Sequence, residues 1–197
     1  IDLTQKMVRT PSVNPKFHVD AAQNREADVQ ALLDPILREE GFRTEQWDVF
    51  PGRPNLVADK AGDEDRSLIL CGHIDVVPVG DPRRWNVDPF GGEIKDGRLY
   101  GRGAIDMKSG VAACIAASRA IRRAGIDLVG RLSIHTVVDE EAGGFGAMDA
   151  VKRGKLALGD MAAPALQRQF AGIALHHVTK LGLEDTGGID QMQVSLC

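Results

Sequence analysis

The fold is decided by residues 67–80, SLILCGHIDVVPVG. The unbroken apolar run from Leu68 to Cys71 is typical of a strand that is covered on both faces. His73 and Asp75 follow, one residue apart, where the run ends. An imidazole supported by a carboxylate makes a good metal ligand, although polar residues at a strand end are also typical of a solvated loop.

Strand and helix patterns alternate around this segment. Strands are predicted at 42–49, 55–59, 67–72 and 131–138, and helices at 21–40, 107–123 and 147–152. The alternation predicts an α/β fold, a three-layer sandwich with helices on both faces of a mostly parallel central sheet. Because ligands bind beyond the carboxyl ends of the strands in such sheets, polar residues that follow different strands are expected to converge on one rim.

Composition limits the classes of partner. The 197 residues are 43% hydrophobic, which is enough for one core, and 24 basic against 28 acidic residues give a net charge of −4. This balance indicates neither nucleic acid nor a membrane as partner and favours a small or peptide-like substrate. No apolar stretch approaches the roughly 18 residues of a membrane span, and we expect a cytoplasmic protein.

A second candidate position is Asp106, in GRGAIDMKSG at the start of a predicted helix. An aspartate there is typical of a helix N-cap. It can equally bridge two metal ions through its two carboxylate oxygens, and the two roles are compatible. The segment lacks the third glycine of the dinucleotide-binding fingerprint, and it therefore indicates nucleotide binding only weakly.

A third position is the acidic run Asp139, Glu140 and Glu141, directly after the apolar strand at 131–138. Adjacent like charges beside a core repel one another unless a cation compensates them. A solvated turn is the alternative, since acidic runs usually face water. Together with His73 and Asp106, the run favours a metal site in which one glutamate ligates and its neighbour acts as a general base.

The three motifs occur together in a known protein family. GHIDVVPVG, then WNVDPFGGEIKDGRLYGRGAIDMKSG, then VVDEEAGG resemble the M20 metallopeptidases and deacylases in order, spacing and flanking residues. That family includes acetylornithine deacetylase and succinyl-diaminopimelate desuccinylase. The resemblance covers residues 1–154, which are predicted to form the metal-binding catalytic domain, whereas residues 155–197 remain an unassigned, divergent tail.

The resemblance implies a role for each candidate residue. His73 and Glu141 would each ligate one of two zinc ions, with Co²⁺ as a substitute, and Asp106 would bridge the pair. Asp75 would orient the His73 imidazole, and Glu140 would be the general base that takes a proton from the zinc-activated water. The implied activity is hydrolysis of the amide bond of a small N-acyl amino acid or peptide. The resemblance also implies a cis peptide bond after Asp106.

Two parts of the family pattern do not occur in this sequence. The resemblance implies a further acidic ligand after the glutamate pair, yet residues 162–172 contain no acid, and it implies a distal histidine. The lid domain, through which family members often form homodimers, is also not recognisable. Two hypotheses follow: a zinc-dependent amide hydrolase, or a truncated, catalytically incompetent relative that binds metal weakly or acts as an interaction protein.

Overall fold

A computed structural model of the chain describes residues 1–155 and 193–195. The helices are α1 (Asp2–Val8), α2 (Glu26–Glu39), α3 (Ser109–Arg123) and α4 (Phe145–Lys152). The strands are β1 (Arg43–Phe50), β2 (Arg53–Lys60), β3 (Asp63–His73), β4 (Glu93–Lys95), β5 (Arg98–Tyr100), β6 (Gly130–Val137) and β7 (Gln193–Ser195). Most of the predicted tail at 155–197 lies outside the described residues. No helix in the described part is long and apolar enough to cross a membrane.

The main sheet has the strand order β1-β2-β6-β3 and is mixed rather than mostly parallel. Strands β1 and β2 pair antiparallel, as do β2 and β6, and only β3 and β6 run parallel. The prediction of a mostly parallel sheet is therefore not confirmed for the described strands. The reason is local: only two residues separate β1 from β2, and so short a turn joins antiparallel neighbours, whereas the parallel β3 and β6 are connected through α3.

Helices pack on both faces of this sheet. One face carries Leu56, Ala58, Leu132 and Ile134, which share a buried core with Leu33 and Leu37 of α2 and Val111 and Ile115 of α3. On the other face α4 is held by two side chains of the sheet: Trp47 donates to Asp149 at 2.6 Å and Asn55 donates to the Gly146 carbonyl at 2.8 Å. The α/β architecture with helices on both faces agrees with the prediction.

The parallel pair β3 and β6 positions the candidate site. In their register His73 lies opposite Val137, so the carboxyl ends of both strands meet at one edge of the sheet. Asp75 and the run Asp139–Glu141 follow these two ends directly, and Ile74 donates to the Val137 carbonyl at 3.0 Å. The predicted convergence of the motifs on one rim is thus present.

A buried histidine lies away from this rim, in the middle of β6. His135 is fully buried, and within the described part of the chain neither ring nitrogen has a hydrogen-bond partner. Burial disfavours the charged imidazolium and lowers the pKa of His135 to about 4. Because the ordinary value is near 6.5, the unfolded chain binds more protons than the folded one between these pH values.

We therefore expect the stability that neutral His135 contributes to be present above pH 6.5 and lost as the pH falls towards 4. Between pH 7.5 and pH 5 the wild-type chain should lose about 2 kcal/mol more unfolding free energy than His135→Leu, measured by urea denaturation at both values. His18→Gln, which alters an exposed histidine, is the control and should follow the wild type. Equal pH dependence in His135→Leu and wild type would contradict the prediction.

Candidate metal centre

His73 is the most buried member of a cluster that also contains Asp106, Glu140 and Glu141. Its side chain is only 5% exposed. Its Nδ1 atom lies 2.9 Å from the backbone carbonyl of Asp75. Because a carbonyl oxygen can only accept, Nδ1 carries the proton, and in the neutral ring the lone pair of Nε2 then faces the cluster. Nε2 lies 3.0 Å from Oδ1 of Asp106 and 3.7 Å from Oε2 of Glu140.

Asp106 is carried by an irregular turn, Ala104–Lys108, that precedes α3. The backbone angles of Asp106 are not helical, and the Asp106–Met107 peptide bond is cis, as the family resemblance implied. The N-cap of α3 is Lys108 rather than Asp106, so the predicted capping role is not found. The Asp106 side chain is 51% exposed, and its Oδ1 atom lies 3.0 Å from Nε2 of His73.

Glu140 and Glu141 follow the end of β6 and contribute carboxylates to the cluster. Each of His73, Glu140 and Glu141 offers one donor atom, and these three atoms all lie within 4.8 Å of one another. Asp139, by contrast, has a left-handed backbone with φ of 68°, and its carboxylate bonds to Asn14, Lys16 and Arg53 instead. The acidic run is therefore split, with one acid anchored in the protein and two at the cluster.

The electrostatics of the cluster favour a bound cation. Burial and the neighbouring carboxylates raise the pKa of Glu141 to about 7, and burial also raises that of Glu140. Burial disfavours imidazolium at His73, but the carboxylates of Asp106 and Asp75 outweigh this effect and hold the pKa of His73 well above its usual value. Without a metal, a proton thus compensates the carboxylates. A nitrogen and carboxylate oxygens gathered in this way are suitable ligands for a divalent metal ion.

Asp75 connects the part of the cluster that follows β3, His73, with the part that follows β6, Glu140 and Glu141. Its carboxylate is 3.6 Å from His73 Nδ1, farther than the backbone carbonyl of the same residue. It accepts instead from the backbone N–H groups of Glu140 at 3.1 Å and Glu141 at 3.2 Å and from the Asn14 amide at 2.8 Å. After the opposing effect of burial, the nearby His73 imidazolium and these donors keep the pKa of Asp75 below its usual value.

Several residues around this site could not be recognised from the sequence. A cleft beside the cluster is lined by Val77, Arg102, Asp106 and Glu141. Of these, Arg102 lies in the GRGAID segment, where the glycines form a recognisable pattern but a single arginine does not. Asn14 and Arg53 were missed as well, because neither carries a local signal: each is recognisable only from the distant side chains that it contacts.

The comparison with known families agrees with this geometry. The profile of peptidase family M20/M25/M40 matches residues 69–191, which is more than half of the chain. The chain belongs to peptidase family M20/M25/M40. The matched range includes His73, Asp106 and the glutamate pair, and it continues beyond residue 154 into the segment that the sequence analysis left unassigned. The M20 family is metal-dependent, in accord with the cluster of metal-binding side chains.

Similar proteins in this family are named as hydrolases. N-formyl-4-amino-5-aminomethyl-2-methylpyrimidine deformylase of Bacillus subtilis is 42% identical over 136 residues, which cover 68% of this chain and 32% of the relative. Succinyl-diaminopimelate desuccinylase of Methylocella silvestris is 39% identical over 158 residues, or 78% of this chain and 38% of the relative. Both are deacylases by name, which agrees with the deacylase character that the resemblance implied.

A solved structure of the family has the same fold. Human carnosine dipeptidase 1 superimposes with a TM-score of 0.65 at 28% sequence identity, covering 77% of this chain and 34% of that chain. This M20 chain thus spans about a third of the length of the relatives that it matches.

Proposed function

We propose that this chain carries the metal-binding part of an M20 hydrolase that cleaves an amide bond, as an N-acyl amino acid deacylase or a peptidase. The observation that supports the proposal most directly is the cluster of His73, Glu140 and Glu141, whose donor atoms lie within 4.8 Å of one another. Asp106, with Oδ1 at 3.0 Å from His73 Nε2, adds a carboxylate at the same point.

In this proposal His73, Asp106 and Glu141 would hold the zinc. Two observations support this set. Nε2 of His73, whose lone pair is available in the neutral ring, faces the carboxylates. Burial and the neighbouring carboxylates raise the pKa of Glu141 to about 7, so a nearby cation would favour its ionised form. Zinc, when bound, would polarise the amide carbonyl and lower the pKa of a bound water molecule towards neutrality.

Glu140 is the proposed general base. Its side chain is 43% exposed and lies at the rim of the cluster, 3.7 Å from His73 Nε2, so that it can reach a water molecule there. Burial raises its pKa above the usual glutamate value, which brings the carboxylate closer to the range in which it both accepts and returns a proton. It would take a proton from water on one Oε atom and deliver it to the leaving amine.

Asp75 would act through its neighbours rather than on the substrate. Its backbone carbonyl fixes the His73 ring, and its carboxylate fixes the N–H groups of Glu140 and Glu141. A single residue thus positions both sides of the proposed metal centre, which extends the role in orienting His73 that the family resemblance implies.

The experiment that tests the proposal is metal analysis combined with an assay of N-acetyl and N-succinyl amino acids. Bound zinc together with turnover supports a hydrolase. Substoichiometric metal without turnover contradicts it and supports the alternative, a catalytically incompetent relative. The assay repeated after chelation and zinc restoration shows whether any turnover depends on the metal.

A further inference from the structure

The backbone of the N-terminal segment Ser12–Asn14 lies along the loop that carries Asp75. Asn14 donates its backbone N–H to the Val76 carbonyl at 3.0 Å, and the Val76 N–H returns to the Ser12 carbonyl at 3.0 Å. The Ser12 hydroxyl donates to the Ile74 carbonyl at 2.6 Å. The segment therefore forms a short parallel bridge along residues 74–76 and fixes the backbone on either side of Asp75.

The side chain of Asn14 continues this contact into the acidic cluster. It is fully buried, and its Nδ2 atom donates to Oδ2 of Asp75 at 2.8 Å and to Oδ1 of Asp139 at 3.2 Å. Its Oδ1 atom accepts from the Lys16 backbone N–H at 3.1 Å. The two hydrogens and the oxygen of one carboxamide are all used.

The two carboxylates that meet at Asn14 come from different strands. Asp75 follows β3 and Asp139 follows β6, and both are fully buried. Two buried carboxylates near one nitrogen repel each other unless donors lie between them. The Asn14 amide supplies such donors, while Arg53 adds positive charge at the same Oδ1 atom of Asp139 and Lys16 adds it at Oδ2.

We infer that Asn14 is a positioning residue of the proposed metal centre. By bonding Asp75 and Asp139 together it fixes the spacing between the strand end that carries His73 and the strand end that carries Glu140 and Glu141. The inference rests on the proposed function, because it concerns the geometry of the metal ligands. Asn14 itself contacts none of the proposed ligands through its side chain.

Loss of this amide is expected to weaken metal binding more than it weakens the fold. Without the donors, the Asp75 carboxylate is free to turn away from the Glu140 and Glu141 N–H groups, and the ligands lose their common support. Residues that orient metal ligands typically change metal affinity by about 10–100-fold when they are mutated. We expect an effect of that size.

The test uses two substitutions in the full chain. Asn14→Ser keeps a side-chain oxygen that can accept from the Lys16 N–H, since serine is a good cap, but a single hydroxyl cannot donate to two carboxylates. Asn14→Leu removes all three bonds. The zinc dissociation constant is measured by competition with a chromophoric chelator, and the metal-free variants are compared by circular dichroism and urea unfolding.

Gln30→Met is the matched control. Gln30 is an equally buried carboxamide, but its amide donates to the Pro54 and Thr136 carbonyls and to no carboxylate. We expect Gln30→Met to lower stability while its zinc dissociation constant stays within about threefold of wild type, and both Asn14 variants to bind about 10–100-fold more weakly.

Two results would overturn the inference alone: wild-type zinc affinity in Asn14→Ser, or an equal loss of affinity in Gln30→Met. If Asn14→Leu does not fold, the zinc affinity of Asn14→Ser decides, because serine can still cap the 3₁₀ turn Pro15–Phe17. A wild-type chain that binds no zinc would instead contradict the proposed function, and the inference with it.

Discussion

Glu140→Gln is expected to lower kcat for amide hydrolysis by about 10²–10⁴-fold while the bound metal remains. Glutamine has nearly the same shape but cannot accept and return a proton. Metal should be retained because Glu140 is the more exposed member of the pair, and the proposed ligands His73, Asp106 and Glu141 are untouched. Turnover is measured with N-acetyl and N-succinyl amino acids, and metal content by elemental analysis.

Glu141→Gln is the matched comparison, since it makes the same chemical change at the adjacent position. It should lower metal content as well as turnover, because it removes a proposed ligand whose charge the cation compensates. Normal turnover in Glu140→Gln would remove that residue from the role of general base. Loss of metal in Glu140→Gln and its retention in Glu141→Gln would exchange the two roles.

Arg53→Met is expected to cost about 3–5 kcal/mol of unfolding free energy. Arg53 lies between two fully buried carboxylates: its Nε and one terminal nitrogen donate to Glu26 at 2.5 and 2.9 Å, and the other donates to Asp139 at 3.1 Å. Removing the guanidinium leaves Glu26 in the interior without its ion-pair partner and leaves Asp139 paired with Lys16 alone, which is far less favourable than a broken ion pair in water. Urea denaturation at pH 7 measures the loss.

The control for this prediction is Arg25→Met. Arg25 pairs with Asp28 at 2.6 Å, but both side chains are about half exposed, and such pairs contribute little. Its loss should change the unfolding free energy by less than about 1 kcal/mol. An effect of Arg53→Met as small as that of Arg25→Met would show that water replaces the guanidinium beside Glu26 and Asp139.

The helices and strands were largely predictable, because they depend on local patterns. The apolar run 68–71 lies within β3, and the helical stripe at 107–123 corresponds to α3. The predicted start of α2 was too early, since Asp20 caps a separate 3₁₀ turn, Ala21–Gln23, before the helix begins at Glu26. Strand direction was harder to predict. The alternation of strands and helices suggested parallel pairing, but β1 and β2 are joined by a short turn and therefore pair antiparallel.

The candidate ligands were recognisable because each follows the end of a strand or precedes a helix, and such ends are visible in the apolar pattern. The residues that support these ligands could not be recognised in the same way. Arg53 reads as one more charge on a strand, yet it is 6% exposed and bonded to Asp139, 86 residues away. Asn14 precedes a proline and resembles an ordinary turn residue, and its neighbours in the sequence do not indicate its bonds to Asp75 and Asp139.

The Asn14 amide also bears on the order in which the protein folds. Its bonds to Asp75 and Asp139 span 61 and 125 residues, so each closes a long loop whose entropic cost must be met before the contact stabilises the chain. The carboxylates can come together only after β3 and β6 have paired and the N-terminal segment has returned to residue 76. The sheet is therefore expected to form first and the carboxylate cluster last, so that a nascent or partly folded chain has no assembled site with which to capture a metal ion.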